Sequence, residues 1–227
     1  MSANDGLSRR GFLAISAATL GGVMLAPGIR LIEIAGARAP EQAVSRQVRW
    51  GLLIDTNKCA PGCDDCVKAC ATENGIKNTG HPRTDAQWIR KVELKDMRSG
   101  RTHSAPVMCQ HCEHPPCVDV CPTAASFKRA DGIVLVDKHR CIGCRYCIMA
   151  CPYKARSFVH EELEDQNPDV PRGKGTAEAC TKAGHNAMIF GDLNDPQSEI
   201  AQRVAKYAST QIRADLQLNP GVRYQGL

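Results

Sequence analysis

Twelve of the chain's thirteen cysteines fall into three runs of four, and the spacing within each run narrows the chemistry. Run one is Cys59, Cys63, Cys66 and Cys70, spaced C-x3-C-x2-C-x3-C. Run two is Cys109, Cys112, Cys117 and Cys121, spaced C-x2-C-x4-C-x3-C, and run three is Cys141, Cys144, Cys147 and Cys151, spaced C-x2-C-x2-C-x3-C. Pro122 and Pro152 follow the last cysteines of runs two and three, and Cys180 stands alone. Three thiolates set two residues apart wrap a loop around one iron–sulfur cubane and meet three of its irons. A fourth cysteine three residues on has entered a helix leading away, so it serves a neighbouring cubane. Runs two and three therefore pair crosswise. Cys109, Cys112 and Cys117 with Cys151 would hold one cluster; Cys141, Cys144 and Cys147 with Cys121 would hold a second.

Other sulfur chemistries fit these spacings less well. Zinc favours two separated pairs around one tetrahedral ion. Disulfides suit an exported protein, but cysteines two residues apart bridge awkwardly and the count is odd. Covalent haem requires C-x-x-C-H, whereas Val67, Glu113, Arg145 and Ile148 follow the four C-x-x-C pairs. Run one shares the three-thiolate logic through Cys59, Cys63 and Cys66. Its fourth ligand is Cys180 on the crossed scheme, or Cys70 if the site closes locally. The arithmetic then gives three [4Fe-4S] clusters and one spare thiol. His111 and His114 sit inside run two as supporting or exposed residues, because the cysteines suffice as ligands.

The surrounding sequence reads as the scaffold for these loops. Trp50 to Asp55 predicts a strand leading into run one, and Val67 to Asn74 the helix after it. Phe127 to Val136 predicts a hairpin turning at Ala130-Asp131-Gly132, and Ile142 to Ala150 a short helix. Asp195-Pro196 followed by Glu199 predicts a helix start with Asp195 as N-cap, and Ile200, Val204 and Ala208 form its apolar stripe. Asp165 to Lys174 reads as a polar loop. The fold expected is α+β: tandem bacterial-ferredoxin-like modules with short hairpins and helices, rich in loops. An inner two-cluster module spans 105–152, and an outer one combines 40–104 with 153–227.

Residues 1–39 read as an export signal. Arg9 and Arg10 precede Phe12-Leu13 and an uncharged run from Ala14 to Ala26, the order of a Tat signal peptide. Cleavage is expected after Ala37 or Ala39. The whole chain carries a net +5, and removing residues 1–37 leaves +4. Three cubanes with four thiolates each would bring about −6 to that, so the basic balance is no guide to partners. Basic residues are scattered, which argues against nucleic acid, and no internal stretch predicts a membrane span in the mature chain. Aromatics make up only 4%, thin material for an apolar core and a reason to expect metal staples. No nucleophile triad, phosphate loop or metalloprotease motif appears, so the sequence shows no substrate chemistry of its own.

The twin arginines, run one, the stretch Cys109-Gln110-His111-Cys112-Glu113-His114-Pro115-Pro116-Cys117 and run three resemble the iron–sulfur subunits of the DMSO reductase family. Within that family the stretches Ala179 to Ala187, Gly191 to Pro196, Gln211 to Asp215 and Gly221 to Gly226 are most similar to the exported O subunit of the Dsr membrane complex. The likeness covers nearly the whole chain. It implies an electron-transfer subunit on the periplasmic side of the cytoplasmic membrane. The implied neighbours are a polytopic quinone-interacting membrane subunit and a multihaem cytochrome c or other redox subunit, in sulfur metabolism. The same likeness admits service to a molybdopterin reductase of sulfur oxyanions or nitrogen oxides. A zinc- or disulfide-stapled scaffold without redox work is the reading of a different class. One departure stands out. Family members usually carry a fourth cysteine run, whereas here Arg172-Gly173-Lys174-Gly175 passes almost directly into Glu178-Ala179-Cys180. Cys180 matches the last cysteine of that run, so the resemblance implies a third cluster but not a fourth.

Overall fold

Leu52, Leu53 and Ile54 are three successive aliphatic residues, so the strand that holds them needs cover on both faces. The computed structural model describes residues 43–76, 79–160, 177–178 and 187–227. In chain order its elements are β1 (Trp50–Asp55), α1 (Asp65–Glu73), β2 (Arg90–Lys95), β3 (Thr102–Val107), α2 (Pro116–Asp119), β4 (Ser126–Lys128), β5 (Val134–Val136), α3 (Tyr146–Ala150), β6 (Ser157–Phe158), β7 (Ala177–Glu178), β8 (Met188–Asp192), α4 (Glu199–Lys206) and β9 (Val222–Gln225). The mixture of short helices and strands agrees with the α+β expectation.

β1 is the middle strand of a three-stranded sheet, antiparallel to β8 and parallel to β9, with Leu52 opposite Phe190 and Val222. Because side chains alternate, Leu52 and Ile54 share one face. There they join Trp88, Ile89, Ala105, Met108, Val222, Tyr224 and Cys70 in the first core. α4 packs on β8 and β1, and its Ile200 is fully buried. A Cβ at Gly191 would lie 2.9 Å from Ile200 Cγ2, so glycine lets the helix approach the sheet closely.

The hairpin β2–β3 has its inner end at Val107, and its four buried residues Ser104–Val107 lead directly into Met108 and Cys109. Tyr224 on β9 reaches the same place. Its hydroxyl donates to Pro106 O at 3.0 Å and accepts from Gln110 Nε2 at 3.1 Å, while Gln110 Nε2 also donates to Met108 O at 2.9 Å. Tyr224→Phe would leave Pro106 O and one Gln110 N–H without this partner inside the core. The expected cost is about 1–3 kcal/mol, read as a lower denaturant midpoint on anaerobic, cluster-loaded protein; an unchanged midpoint would refute the role of this contact.

The β4–β5 hairpin lies where the sequence predicts it, with Phe127 opposite Leu135 and Gly132 at φ +89. Its turn is pinned to β1. Trp50 N donates to Asp131 O at 3.1 Å and Trp50 Nε1 to Asp131 Oδ2 at 3.1 Å. Asp131 also takes the Arg129 guanidinium. Arg49 donates to Gly132 O at 3.0 Å and to His111 O at 2.9 Å, and a Cβ at Gly132 would run into that guanidinium.

Three helix bounds differ from the sequence reading. α1 begins at Asp65, two residues early, so Cys66 already lies in its first turn. α3 is confined to Tyr146–Ala150 because Gly143 (φ +71) and Arg145 (φ +65) are left-handed and hold Ile142–Arg145 as a loop. α4 is capped by Ser198, whose hydroxyl accepts from Ala201 N at 3.2 Å. Asp195 instead accepts from Gln197 N at 2.9 Å in the turn before it, and Ala208 falls beyond the helix end. The expected Asp165–Lys174 loop lies outside the described residues.

Candidate metal centres

Each loop of runs two and three is set by backbone that few residues adopt. His111 sits at φ +45 between Cys109 and Cys112. Pro115 and Pro116 then start α2, which carries Cys117. In run three the left-handed pair Gly143 and Arg145 brackets Cys144, α3 carries Cys147, and Cys151 ends the helix. α2 and α3 pack against each other, so the cysteine beyond each helix is carried towards the other run.

The structure brings the crosswise sets together. Cys121 lines one pocket with Cys141, Cys144 and Cys147, joined by Ser126, Val136, Ile142 and Arg145; its empty space, open mouth included, is about 330 Å³. Cys109, Cys112 and Cys117 are buried with Val134, Tyr153 and Ala155 in the second core, against which Cys151 packs. Burial pushes the Cys112 thiol up to about 12, and the negative neighbours Cys109, Cys117 and Cys151 add to it. Cys147 is likewise pushed up by burial, with Arg156 opposing and Cys117, Cys141 and Cys121 reinforcing. Cys121 goes the other way. Burial opposes its ionisation, but hydrogen bonds led by the Ser126 amide outweigh that and lower its pKa.

In run one, Cys59 closes the 3-10 turn Thr56–Lys58 and Cys66 lies in the first turn of α1. Burial raises Cys66, Lys91 opposes, and Cys59 and Cys63 add to the rise, so these three thiols lie within one another's field. Cys70 lies one turn further along α1, in the first core, where Asn74 Nδ2 donates to its Sγ at 3.6 Å. Cys180 lies outside the described residues, as do Arg9 and Arg10.

The donors around these cysteines suit anionic sulfur. Ser126 N donates to Cys121 Sγ at 3.3 Å and Ala155 N to Cys151 Sγ at 3.5 Å. Arg156, buried at 5% exposure, donates to Cys117 Sγ at 3.2 Å, and its Nη1 is buried without a partner beside these thiols. Sulfide of a bound cluster would supply the acceptor that Nη1 lacks. The twelve described cysteines are free thiols. A cubane presents four irons, so its four thiolates surround it. The residues fit [4Fe-4S] clusters.

The expected supporting role of His111 has a concrete form. Its Nδ1 accepts from Val134 N at 3.0 Å and lies 3.9 Å from Cys109 Sγ, which places the ring proton on Nε2. His114 is exposed. The C-terminal segment covers the same loop: Glu113 N donates to Leu218 O at 3.0 Å and Gly221 N to Gln110 O at 2.9 Å. Sequence reasoning missed Arg49, Ser126 and Arg156. The one available signal was Arg156 itself, the single charge in the stretch Ala155 to Val159.

Residues 101–192 match the family model of a 4Fe-4S dicluster domain. The chain is 36% identical to the Hdr-like menaquinol oxidoreductase iron–sulfur subunit 1 of Archaeoglobus fulgidus, over 97% of this chain and 98% of that one. It is 34% identical to the B subunit of tetrathionate reductase from Salmonella typhimurium, over 90% and 84% of the two chains. It is 39% identical to protein NrfC of Escherichia coli, over 68% and 70%. The alignment with the Archaeoglobus protein runs over 267 positions against 227 residues here, so that relative has at least forty internal positions without a counterpart in this chain.

Proposed function

Because the chain belongs to the family of iron–sulfur subunits of menaquinol and molybdoenzyme-type oxidoreductases, we propose that it is the periplasm-facing relay of a Dsr-type sulfur-metabolic membrane complex. At the level of the family it is an iron–sulfur electron-transfer subunit of a quinol- or molybdopterin-linked oxidoreductase complex. Bound [4Fe-4S] clusters supply one-electron exchange at potentials set by charge, exposure and hydrogen bonds to sulfur. The protein's own part is to hold and tune them. Its thiolates would ligate, its buried amides and Arg156 stabilise anionic sulfur, and its second core keeps water from Cys109, Cys112 and Cys117.

The observation that carries the ligand assignment is the mutual crossing of runs two and three, with Cys121 beside Cys141, Cys144 and Cys147 and Cys151 beside Cys109, Cys112 and Cys117. We assign a third cluster to Cys59, Cys63 and Cys66 with Cys180. The burial of Cys70 in an apolar core, bonded to Asn74, supports Cys180 over Cys70. The neighbours are a quinone-interacting membrane subunit and a cytochrome c or other redox subunit. The first relative's name supports the quinol side, and the paired Arg9 and Arg10 support export by the Tat route. Among the described residues no helix is long and apolar enough to cross a membrane. Likeness to the tetrathionate reductase polypeptide favours a second reading, in which a molybdopterin enzyme is the partner. Adjacent genes tell the two apart: a molybdopterin catalytic subunit selects the second, a cytochrome with sulfite reductase genes the first.

Anaerobically reconstituted protein tests the count. About twelve irons per chain are expected, with absorption near 400 nm that reduction bleaches; colourless, iron-free protein would sink the relay reading. Cys180→Ser should lower iron towards about eight, while Cys70→Ser changes it little. The reverse pattern would assign the third site to local closure by Cys70.

A further inference from the structure

A buried guanidinium needs negative partners, because desolvating it alone costs several kcal/mol or more. Arg156 is 5% exposed, and the groups that offset its burial are Cys117, Cys109 and Cys147, in that order. Cys109 and Cys117 belong to one proposed cluster and Cys147 to the other. Cysteines of both sets therefore act on the Arg156 charge.

Its hydrogen bonds extend the link. Arg156 Nη2 donates to Cys117 Sγ at 3.2 Å and to Ser126 Oγ at 2.8 Å. The amide of the same Ser126, which is 2% exposed, donates to Cys121 Sγ at 3.3 Å. Cys117 and Cys121 lie one helical turn apart in sequence but serve different clusters on the crosswise assignment. A continuous polar path thus runs from a ligand of one cluster, through Arg156 and Ser126, to a ligand of its neighbour.

We propose that Arg156, anchored by Ser126, is a fixed positive charge shared by the two clusters of runs two and three and holds both of their reduction potentials up. The inference rests on the ligand assignment above. The sign follows from charge. One electron takes a cubane with four thiolates from about −2 to about −3, and a nearby cation favours the more negative state. The effect is larger for the cluster of Cys109, Cys112, Cys117 and Cys151, which receives the direct N–H···S bond as well as the field. It is smaller for the cluster of Cys121, Cys141, Cys144 and Cys147, which Arg156 reaches through space and through Ser126. Arg156 is on this account a positioning and tuning residue.

The test is an EPR-monitored redox titration of reconstituted full-length protein, with dithionite as reductant and iron assayed in each sample. Arg156→Met removes charge and donors. It should weaken reduction of the first cluster about tenfold or more, a fall of about 59 mV for a one-electron couple, and shift the second in the same direction by less. Arg156→Lys keeps the charge and should recover most of both midpoints. Ser126→Ala keeps the amide hydrogen bond to Cys121 but frees the guanidinium, and should give a smaller fall in the first cluster and a still smaller one in the second. Full iron with both midpoints unchanged in Arg156→Met would overturn the proposal, as would a lysine variant no different from methionine. Should Arg156→Met fail to load, the serine variant decides: a lowered first midpoint supports the proposal and an unchanged one refutes it. Wild-type protein without iron would instead overturn the cluster assignment itself.

Discussion

Cys121→Ser should empty the site formed by Cys141, Cys144 and Cys147 and leave Cys109, Cys112 and Cys117, the other members of its own run, loaded. Cys121 shares a pocket with the three leading cysteines of run three, and hydrogen bonds led by the Ser126 amide outweigh burial and lower its pKa. A serine hydroxyl is a far weaker ligand than a thiolate, so the cubane loses a corner or leaves altogether. Iron should fall by about four per chain, or by about one if a three-iron form survives. Cys151→Ser is the mirror experiment. It should remove the cluster of run two, because the Cys151 thiol lies in the field of Cys109 and Cys117. EPR of the reduced protein separates the two losses, as each variant keeps a different signal. If each serine variant silenced the cluster of its own run, the crosswise assignment would be wrong.

Replacing Arg9 and Arg10 together by lysine should hold the protein in the cytoplasm. The paired guanidinium groups are the planar, bidentate feature that a Tat receptor reads, and lysine keeps the charge but not the fork. The periplasmic fraction should drop on the order of tenfold or more, while the cytoplasmic precursor still folds and carries iron. Fractionation followed by iron assay measures both. Undiminished export of the lysine pair would overturn the assignment of Arg9 and Arg10 to the Tat route.

The parts of the fold that sequence made legible are those decided by neighbours a few residues away. Trp50–Asp55 is a strand because three adjacent aliphatics leave little else, and Asp131-Gly132 turns a hairpin because glycine accepts φ +89. The start of α3 was hidden because Arg145 is left-handed, and nothing about an arginine announces that. The start of α4 was read at Asp195, but tertiary packing makes Ser198 the cap, and its hydroxyl also donates to Asp192 O at 2.5 Å. The stretches Gly191 to Pro196 and Gly221 to Gly226 carried a family likeness without a structural role; they hold the end of β8 and all of β9. The cysteine sets were legible because thiolate spacing is itself the geometry of a cubane loop. Arg156 and Ser126 were not, since their meeting with Cys117 depends on how α2 and the hairpin pack after folding.

The parallel pairing of β1 with β9 fixes an order of events during synthesis. β1 occupies residues 50–55, yet its parallel neighbour begins at Val222, beyond all three cysteine runs. At about 5–20 residues per second, roughly 4–14 seconds separate the synthesis of Cys151 from that of Val222. During that interval every thiol of runs two and three has been made, while β1 still has an open edge and the Leu218–Gly221 segment has not yet covered the loop around Cys112. Loop closure across so long a separation is slow, which widens the interval further. The topology therefore builds in a loading period, in which Cys109 and Cys112 stay open to an iron–sulfur assembly factor until the Leu218–Gly221 segment closes over their loop.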